Sequence, residues 1–179
     1  MYLISIYFDE TANLTINRYV RRVAEESGND FMLVNDIPPH ITLSAFEAQD
    51  EMAVIQELQE IVSNWKQDQI QYVSVGTFLP YVLYITPVLN EYLHNMTTSI
   101  YEKFHEKDGV KMSKCYRPFQ WLPHTTIGKK LSKEEMLKAF EVMQKQFAVF
   151  DARVVKIGLA KTNPHRDIWT FELKKTLYK

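Results

Sequence analysis

The tripeptide His-x-Thr occurs twice in this chain, and its spacing constrains the fold more than any other feature. His40 and Thr42 form the first copy, His124 and Thr126 form the second, and a proline precedes each histidine. Chance gives roughly 0.3 such tripeptides in a chain of this composition, so two copies indicate a duplication. A residue before proline favours extended geometry and β-branched residues favour strands, so each histidine is predicted to begin a strand.

The elements around the two motifs follow the same order. In each half, the sequence pattern predicts a helix, the histidine strand, a second helix and two strands. The predicted elements are a strand at 2–8, helices at about 13–27 and 51–65, strands at 71–78 and 81–86, a helix marked by apolar residues from 89 to 104, a long loop at 108–121, a helix opened by a capping box at 132–135, and strands at 152–161 and 168–174 joined by a turn at 163–166. This order predicts two related lobes that pack as one unit, with the motif strands on opposite sides of a groove.

Side-chain alternation predicts which residues face that groove. Residues two apart on a strand share a face, so the polar residues of each motif point one way and the aliphatic residues between them point into a core. The predicted groove faces are His40, Thr42 and Ser44 on the first strand, and His124, Thr126 and Lys130, with Gly128 between them, on the second.

Two imidazoles that face one ligand suit phosphodiester chemistry. One can remove a proton from the attacking oxygen while the other donates a proton to the leaving oxygen, so no metal or other cofactor is required. The hydroxyls of Thr42 and Thr126 can donate hydrogen bonds to the non-bridging phosphoryl oxygens. Ser44 and Lys130 lie on the predicted groove faces and Arg117 lies in the loop before the second motif, so these three residues are predicted to bind substrate.

The tetrads His-Ile-Thr-Leu at 40–43 and His-Thr-Thr-Ile at 124–127 resemble the signature of the two-histidine phosphoesterase superfamily, especially its 2′-5′ RNA ligase-like branch. The resemblance implies an α+β duplicated fold in one bilobal domain over residues 1–179, with two pseudo-twofold-related antiparallel sheets flanked by helices around a central groove. It also implies metal-independent action on 2′,3′-cyclic or 2′-5′ phosphodiesters, with catalytic roles for His40, Thr42, His124 and Thr126. Thr125 departs from the aliphatic residue that is more typical at its position.

Composition limits the partners. The formal net charge of −1 argues against a binder of long DNA or RNA but allows a small nucleotide or an RNA-terminal phosphodiester. No apolar stretch approaches the roughly 20 residues that cross a bilayer, and the amino terminus does not resemble a signal peptide. The single cysteine, Cys115, fits a reducing compartment, so we expect a cytoplasmic monomer.

Several functions stay open at this point. A cyclic phosphodiesterase and a 2′-5′ RNA ligase would use the same reversible centre, and a noncatalytic nucleotide or RNA-end binding module could keep the same groove. A protein-interaction scaffold with relic motifs is a further alternative, although the intact histidines and threonines argue against it. The sequence does not assign the roles of acid and base to the two histidines, because those roles depend on the side from which the nucleophile enters.

Overall fold

The structure is a computed structural model that describes residues 1–162 and 166–176. Its strands are β1 (Tyr2–Phe8), β2 (Ile41–Ala48), β3 (Asp68–Phe78), β4 (Val82–Pro87), β5 (Val110–Met112), β6 (Thr125–Lys129), β7 (Phe150–Lys161) and β8 (Arg166–Glu172), and its helices are α1 (Glu10–Ser27), α2 (Phe31–Val34), α3 (Glu51–Val62), α4 (Glu91–Phe104) and α5 (Lys133–Gln146). The strands form one hydrogen-bonded network in the order β5-β2-β1-β7-β3-β4-β6, with β8 on β7. All neighbouring strands are antiparallel, which confirms the predicted α+β class.

The duplication is visible in the topology. The unit β1-α1-β2-α3-β3 is repeated as β4-α4-β6-α5-β7. Corresponding strands begin at nearly the same offset along the chain, since Tyr2 of β1 corresponds to Val82 of β4 and Ile41 of β2 corresponds to Thr125 of β6. The two units exchange strands, because β1 pairs with β7 and β4 pairs with β3. The pairing of β3 with β7 therefore joins two wings, β5-β2-β1-β7 with β8 and β3-β4-β6, into one continuous sheet in place of the two predicted sheets.

The helices are exchanged in the same way. α1 packs on α5 and β6, whereas α4 packs on α3 and β2. Each motif strand is therefore covered by a helix from the other unit. The apolar sides of these helices and of the sheet form a common core that includes Ile4, Ile16, Leu58, Ile85 and Ile100, each fully buried.

Local signals explain where the helices begin and end. The Asp9 side chain accepts a hydrogen bond from the Ala12 amide at the start of α1, and Gly28 ends the helix at a φ of 80°. The predicted capping box of Ser132 and Glu135 opens α5 with both of its hydrogen bonds.

The structure differs from the prediction in several segments. Helix α1 begins three residues earlier than predicted, and α3 ends three residues earlier. The predicted loop at 108–121 contains β5 and a 3₁₀ turn at Lys114–Tyr116. The short helix α2 was not predicted, and residues 163–165 of the predicted last turn, including His165, lie outside the described residues.

A β-bulge interrupts both motif strands at the same point. Successive residues of β1 pair with Thr42 and Ser44, so Leu43 is an additional residue without a cross-strand partner in that ladder. The pairing of β4 with β6 skips Ile127, the corresponding position of the second motif, in the same way. A bulge bends the strand and changes the alternation beyond it, so it alters which side chains reach the groove.

Candidate active site

A cavity of about 240 Å³ between the two wings is lined by both motifs. His40 and Thr42 line one side, and His124 and Thr126 line the other. The structure thus brings together the four residues that the sequence singles out. Each histidine lies one residue before its strand begins, rather than inside it. The cavity is not the largest on the surface, but residues of both His-x-Thr motifs line it, which makes it the candidate active site.

The two imidazoles are oriented by the same hydrogen bond. The Nδ1 atom of His40 lies 2.7 Å from the carbonyl oxygen of Pro38, and Nδ1 of His124 lies 2.9 Å from the carbonyl oxygen of Leu122. A carbonyl only accepts hydrogen bonds, so Nδ1 carries the proton in both rings. Consequently, Nε2 is the atom at which each imidazole gains or loses a proton.

Aromatic side chains surround His124. The Phe78 ring meets it edge to face with 4.8 Å between centroids, and the Tyr84 ring lies 5.4 Å away. Burial by this environment lowers the pKa of His124 below its ordinary value of 6.5, and the hydrogen bond to Leu122 only partly opposes the shift. His124 is therefore neutral at pH 7, with a lone pair on Nε2.

His40 has different surroundings. The ring of Tyr7 lies 6.4 Å from the His40 ring, and the Tyr7 hydroxyl donates a 2.6 Å hydrogen bond to Asp167. Burial and the carboxylate of Asp167 raise the pKa of Tyr7, so the phenol keeps its proton at neutral pH. The environments of the two histidines are thus chemically unequal.

The threonine hydroxyls accompany the histidines. Thr42 is largely buried, and its Oγ1 lies 3.5 Å from the Ser5 hydroxyl. The Tyr116 phenol lies beside Thr42 and also lines the cavity. Thr126 is half-buried on the opposite wall. Both threonines can offer an O–H group to an anion that sits between the imidazoles.

The predicted groove positions of Ser44 and Lys130 are wrong, and the bulges explain both errors. Ser44 is 1% exposed, does not line the cavity, and has no hydrogen-bond partner for its Oγ among the described residues. Its counterpart Gly128 also faces the core, because a Cβ atom there would lie 3.2 Å from Cγ1 of Val23. The additional residue in each strand turns the following positions to the opposite face, so Lys129 lines the cavity in place of Lys130.

Lys130 and Arg117 lie outside the cavity lining. Lys130 has a left-handed φ of 58° after β6, and its Nζ lies 4.6 Å above the ring of Phe31. Arg117 is exposed at the end of the Lys114–Tyr116 turn, and the residue before it, Tyr116, lines the cavity instead. The substrate-binding role of Arg117 stays a prediction, because the residue is exposed but does not line the cavity.

Sequence reasoning missed Lys129 as a cavity residue and did not separate Tyr116 from other aromatic residues. Lys129 could have been found only by placing the bulge, which depends on the pairing partner and leaves no mark in the strand itself. Within 1–162 and 166–176, His, Cys, Asp and Glu side chains do not group in threes that could hold a metal ion. None of the helices in this part of the chain is both long enough and apolar enough to cross a bilayer.

Comparisons with known proteins identify a family and similar chains. The family model of the 2′-5′ RNA ligase superfamily matches residues 10–166. A protein of Halalkalibacterium halodurans, named as an inferred phosphoesterase, is 29% identical over 103 residues, which cover 56% of this chain and 57% of the relative. A protein of Bacillus cereus with the same kind of name is 36% identical over 108 residues, which cover 55% and 56%. The chain thus spans little more than half the length of these curated relatives.

Solved structures share the fold. A crystal structure of a phosphoesterase superimposes with a TM-score of 0.58 at 14% identity and covers 97% of both chains. Escherichia coli LigT, crystallised with 3′-AMP, superimposes with a TM-score of 0.58 at 11% identity and covers 96% of this chain and 97% of LigT. At such low sequence identity, these superpositions show that the fold is shared and carry no further conclusion.

Proposed function

The chain belongs to the 2′-5′ RNA ligase superfamily, and we propose that it is a metal-independent phosphodiesterase acting on 2′,3′-cyclic or 2′-5′ phosphodiesters of nucleotides or RNA ends. One observation carries the proposal. His40 and His124 line one cavity, and each holds its Nδ1 proton on a backbone carbonyl, so each offers Nε2 for proton transfer. Two imidazoles arranged in this way supply both proton transfers of phosphodiester hydrolysis.

The unequal surroundings support a division of roles. Neutral His124 takes the proton of a water molecule as its oxygen forms a bond to phosphorus. His40 acts in its protonated form and gives its Nε2 proton to the departing ribose oxygen as the bond from phosphorus to that oxygen breaks. A 2′,3′-cyclic phosphate thereby becomes a phosphomonoester with one free hydroxyl, and the proton taken up by His124 balances the proton lost by His40.

Three further side chains suit the developing charge. Thr42 and Thr126 can donate hydrogen bonds to the two non-bridging oxygens, and these bonds strengthen as negative charge accumulates. Lys129 brings a positive charge to the same cavity, on the side of His124. A monoanionic phosphodiester bound between the two walls would meet all three groups.

The proposal is tested by incubating the chain with 2′,3′-cyclic nucleotides in the presence of a chelator. We expect turnover to a phosphomonoester, and we expect His40→Ala and His124→Ala to reduce it by roughly 10²- to 10⁴-fold. His105→Ala is the matched control, because His105 is an exposed histidine at the end of α4 outside the cavity. It should retain full activity.

Other outcomes would contradict the proposal in different ways. Binding of the cyclic nucleotide without turnover would favour a noncatalytic nucleotide or RNA-end binding module. Joining of a 2′,3′-cyclic RNA end to a 5′-hydroxyl end, without hydrolysis, would favour a ligase. Loss of activity in chelator, restored by a divalent cation, would transfer the chemistry to a metal.

A further inference from the structure

A hydroxyl group is buried in the middle of the second motif, where the first motif has an aliphatic side chain. Thr125 is 1% exposed, and its counterpart Ile41 is fully buried. A hydroxyl placed in a core without a partner destabilises a protein, whereas an aliphatic side chain fills the same space without that cost. Packing alone therefore does not account for Thr125.

Thr125 connects the two motifs through hydrogen bonds. Its Oγ1 lies 2.9 Å from the carbonyl oxygen of His40 and 2.5 Å from the hydroxyl oxygen of Tyr72. The carbonyl can only accept, so Thr125 donates its single proton to His40 and accepts a hydrogen bond from Tyr72. The two hydrogen bonds therefore run in one direction, with Tyr72 donating to Thr125 and Thr125 donating to the carbonyl of His40.

The Tyr72 side chain, which donates the first of these hydrogen bonds, is held firmly by its neighbours. Tyr72 lies on the central strand β3 and is fully buried. Its ring stacks on Phe150 with 4.9 Å between centroids and meets Phe8 edge to face at 5.9 Å. Because these two rings hold Tyr72 in place, its hydrogen bond can fix the position of the Thr125 hydroxyl.

We propose that Thr125 and Tyr72 are positioning residues that hold the His40 backbone at a fixed place relative to His124. β2 and β6 lie in different wings, and the strand ladders of the described residues do not pair them with each other. The Thr125 hydroxyl bridges this gap from the residue directly after His124. Trp121 adds a second link, because its Nε1 donates a 3.0 Å hydrogen bond to the carbonyl of Thr42.

This inference rests on the proposed function, because positioning affects rate only if the two imidazoles act on one phosphate. Misplacing a catalytic group by about 1 Å can reduce a rate by about 10²-fold without abolishing substrate binding. Thr125→Val removes the hydroxyl and keeps the shape of the side chain. We expect it to lower kcat by about 10- to 100-fold and to change KM by less than roughly threefold.

Two conservative variants keep the test decisive if Thr125→Val folds poorly. Thr125→Ser restores the hydroxyl, so it should return kcat to within roughly threefold of the native value. Tyr72→Phe removes the donor to Thr125 but leaves the bond from Thr125 to His40. Its loss of kcat should therefore be smaller than that of Thr125→Val.

Thr97→Val is the matched control for loss of a buried threonine hydroxyl. Thr97 is 2% exposed in α4, and its hydroxyl donates to helix carbonyls, including that of His94 at 2.9 Å. This variant should lose thermal stability and keep kcat. Equal losses of kcat in Thr97→Val and Thr125→Val would overturn the inference, as would a native kcat in Thr125→Val.

A measurement without turnover separates this inference from the proposed function. The NMR shift of the His40 carbonyl carbon reports the hydrogen bond from Thr125, and the His40 ring signals report its position. Both should change in Thr125→Val and stay unchanged in Thr97→Val. If the native chain turns over no phosphodiester, the proposed function fails, and unchanged His40 signals in Thr125→Val would separately overturn the positioning role.

Discussion

His40 and His124 share a tautomer and differ in surroundings, and both properties follow from short-range features. Each ring binds the carbonyl two residues before it, across a proline, so the repeated Pro-His sequence accounts for the common orientation. The motif alone could predict the identity of the pair. It could not predict that Phe78 and Tyr84 enclose only the second histidine, because those aromatic residues come from the β3–β4 hairpin.

The lowered pKa of His124 makes stability depend on pH. The unfolded chain binds a proton at an ordinary histidine pKa near 6.5, whereas folded His124 binds it at a lower pH. Hence the free energy of unfolding contributed by this residue is complete above about pH 6.5 and decreases as pH falls through the folded-state pKa. Urea unfolding of the native chain and of His124→Gln between pH 7.5 and pH 5 measures this effect. The free energy of unfolding should decrease less in the variant as the pH falls. A decrease of the same size in both would contradict the assigned environment.

Lys129 and Lys130 are adjacent but only Lys129 lines the cavity, so they form a matched pair. Lys129→Gln should reduce kcat/KM for a cyclic nucleotide by roughly 10-fold, because an exposed cation attracts an anion through a partly screened field. Lys130→Gln should leave it nearly unchanged. The difference should shrink at high ionic strength. A greater loss in Lys130→Gln would contradict the side-chain orientations at the end of β6.

At the scale of elements, strand alternation predicted the motif faces correctly up to the bulge and incorrectly beyond it. Thr42 and Thr126 precede the additional residue and face the cavity, whereas Ser44 follows it and is buried. Helix starts were more predictable, because a capping box such as that of Ser132 and Glu135 depends on only four consecutive residues. A bulge depends on pairing with a distant strand, and the Lys114–Tyr116 turn follows the surface of β2, so neither leaves a local pattern.

Ser44 and Thr42 provide a test of the bulge. Ser44→Ala removes a buried hydroxyl that has no partner among the described residues, so it should keep kcat and leave stability unchanged or increased by up to about 1 kcal/mol. Thr42→Val deletes a hydroxyl in the cavity and should cost about 3 kcal/mol of transition-state stabilisation. Steady-state kinetics and thermal unfolding measure both effects. Loss of kcat in Ser44→Ala would contradict the placement of Ser44 in the core and would mean that it acts in the active site.

At the scale of the whole molecule, the two units cannot be separated without breaking both wings. β1 pairs with β7 of the other unit, and α1 covers β6 of the other unit. The repeated sequence predicted the duplication and the nearly constant offset between corresponding elements. It did not predict the exchange, because an exchanged and an unexchanged duplication contain the same local patterns.

This exchange predicts one cooperative unfolding transition for the chain. Ile4→Ala in β1 and Ile85→Ala in β4 each remove buried volume from a different unit, and each should destabilise the whole molecule by about 2 to 5 kcal/mol. Calorimetry should give one peak in both variants, with equal calorimetric and van't Hoff enthalpies. Two separate transitions, with only one of them shifted in each variant, would mean that the units fold independently.

The central claim is that two imidazoles in one cavity perform both proton transfers. The most direct measurement is the dependence of kcat/KM on pH for hydrolysis of a 2′,3′-cyclic nucleotide in chelator, for the native chain, His40→Ala and His124→Ala. We predict a bell-shaped profile for the native chain, whose acidic limb lies below pH 6.5 because burial lowers the pKa of His124. His124→Ala should lose the acidic limb and His40→Ala the basic limb, each with a loss of roughly 10²- to 10⁴-fold. Native turnover in both variants, with both limbs intact, would contradict the claim.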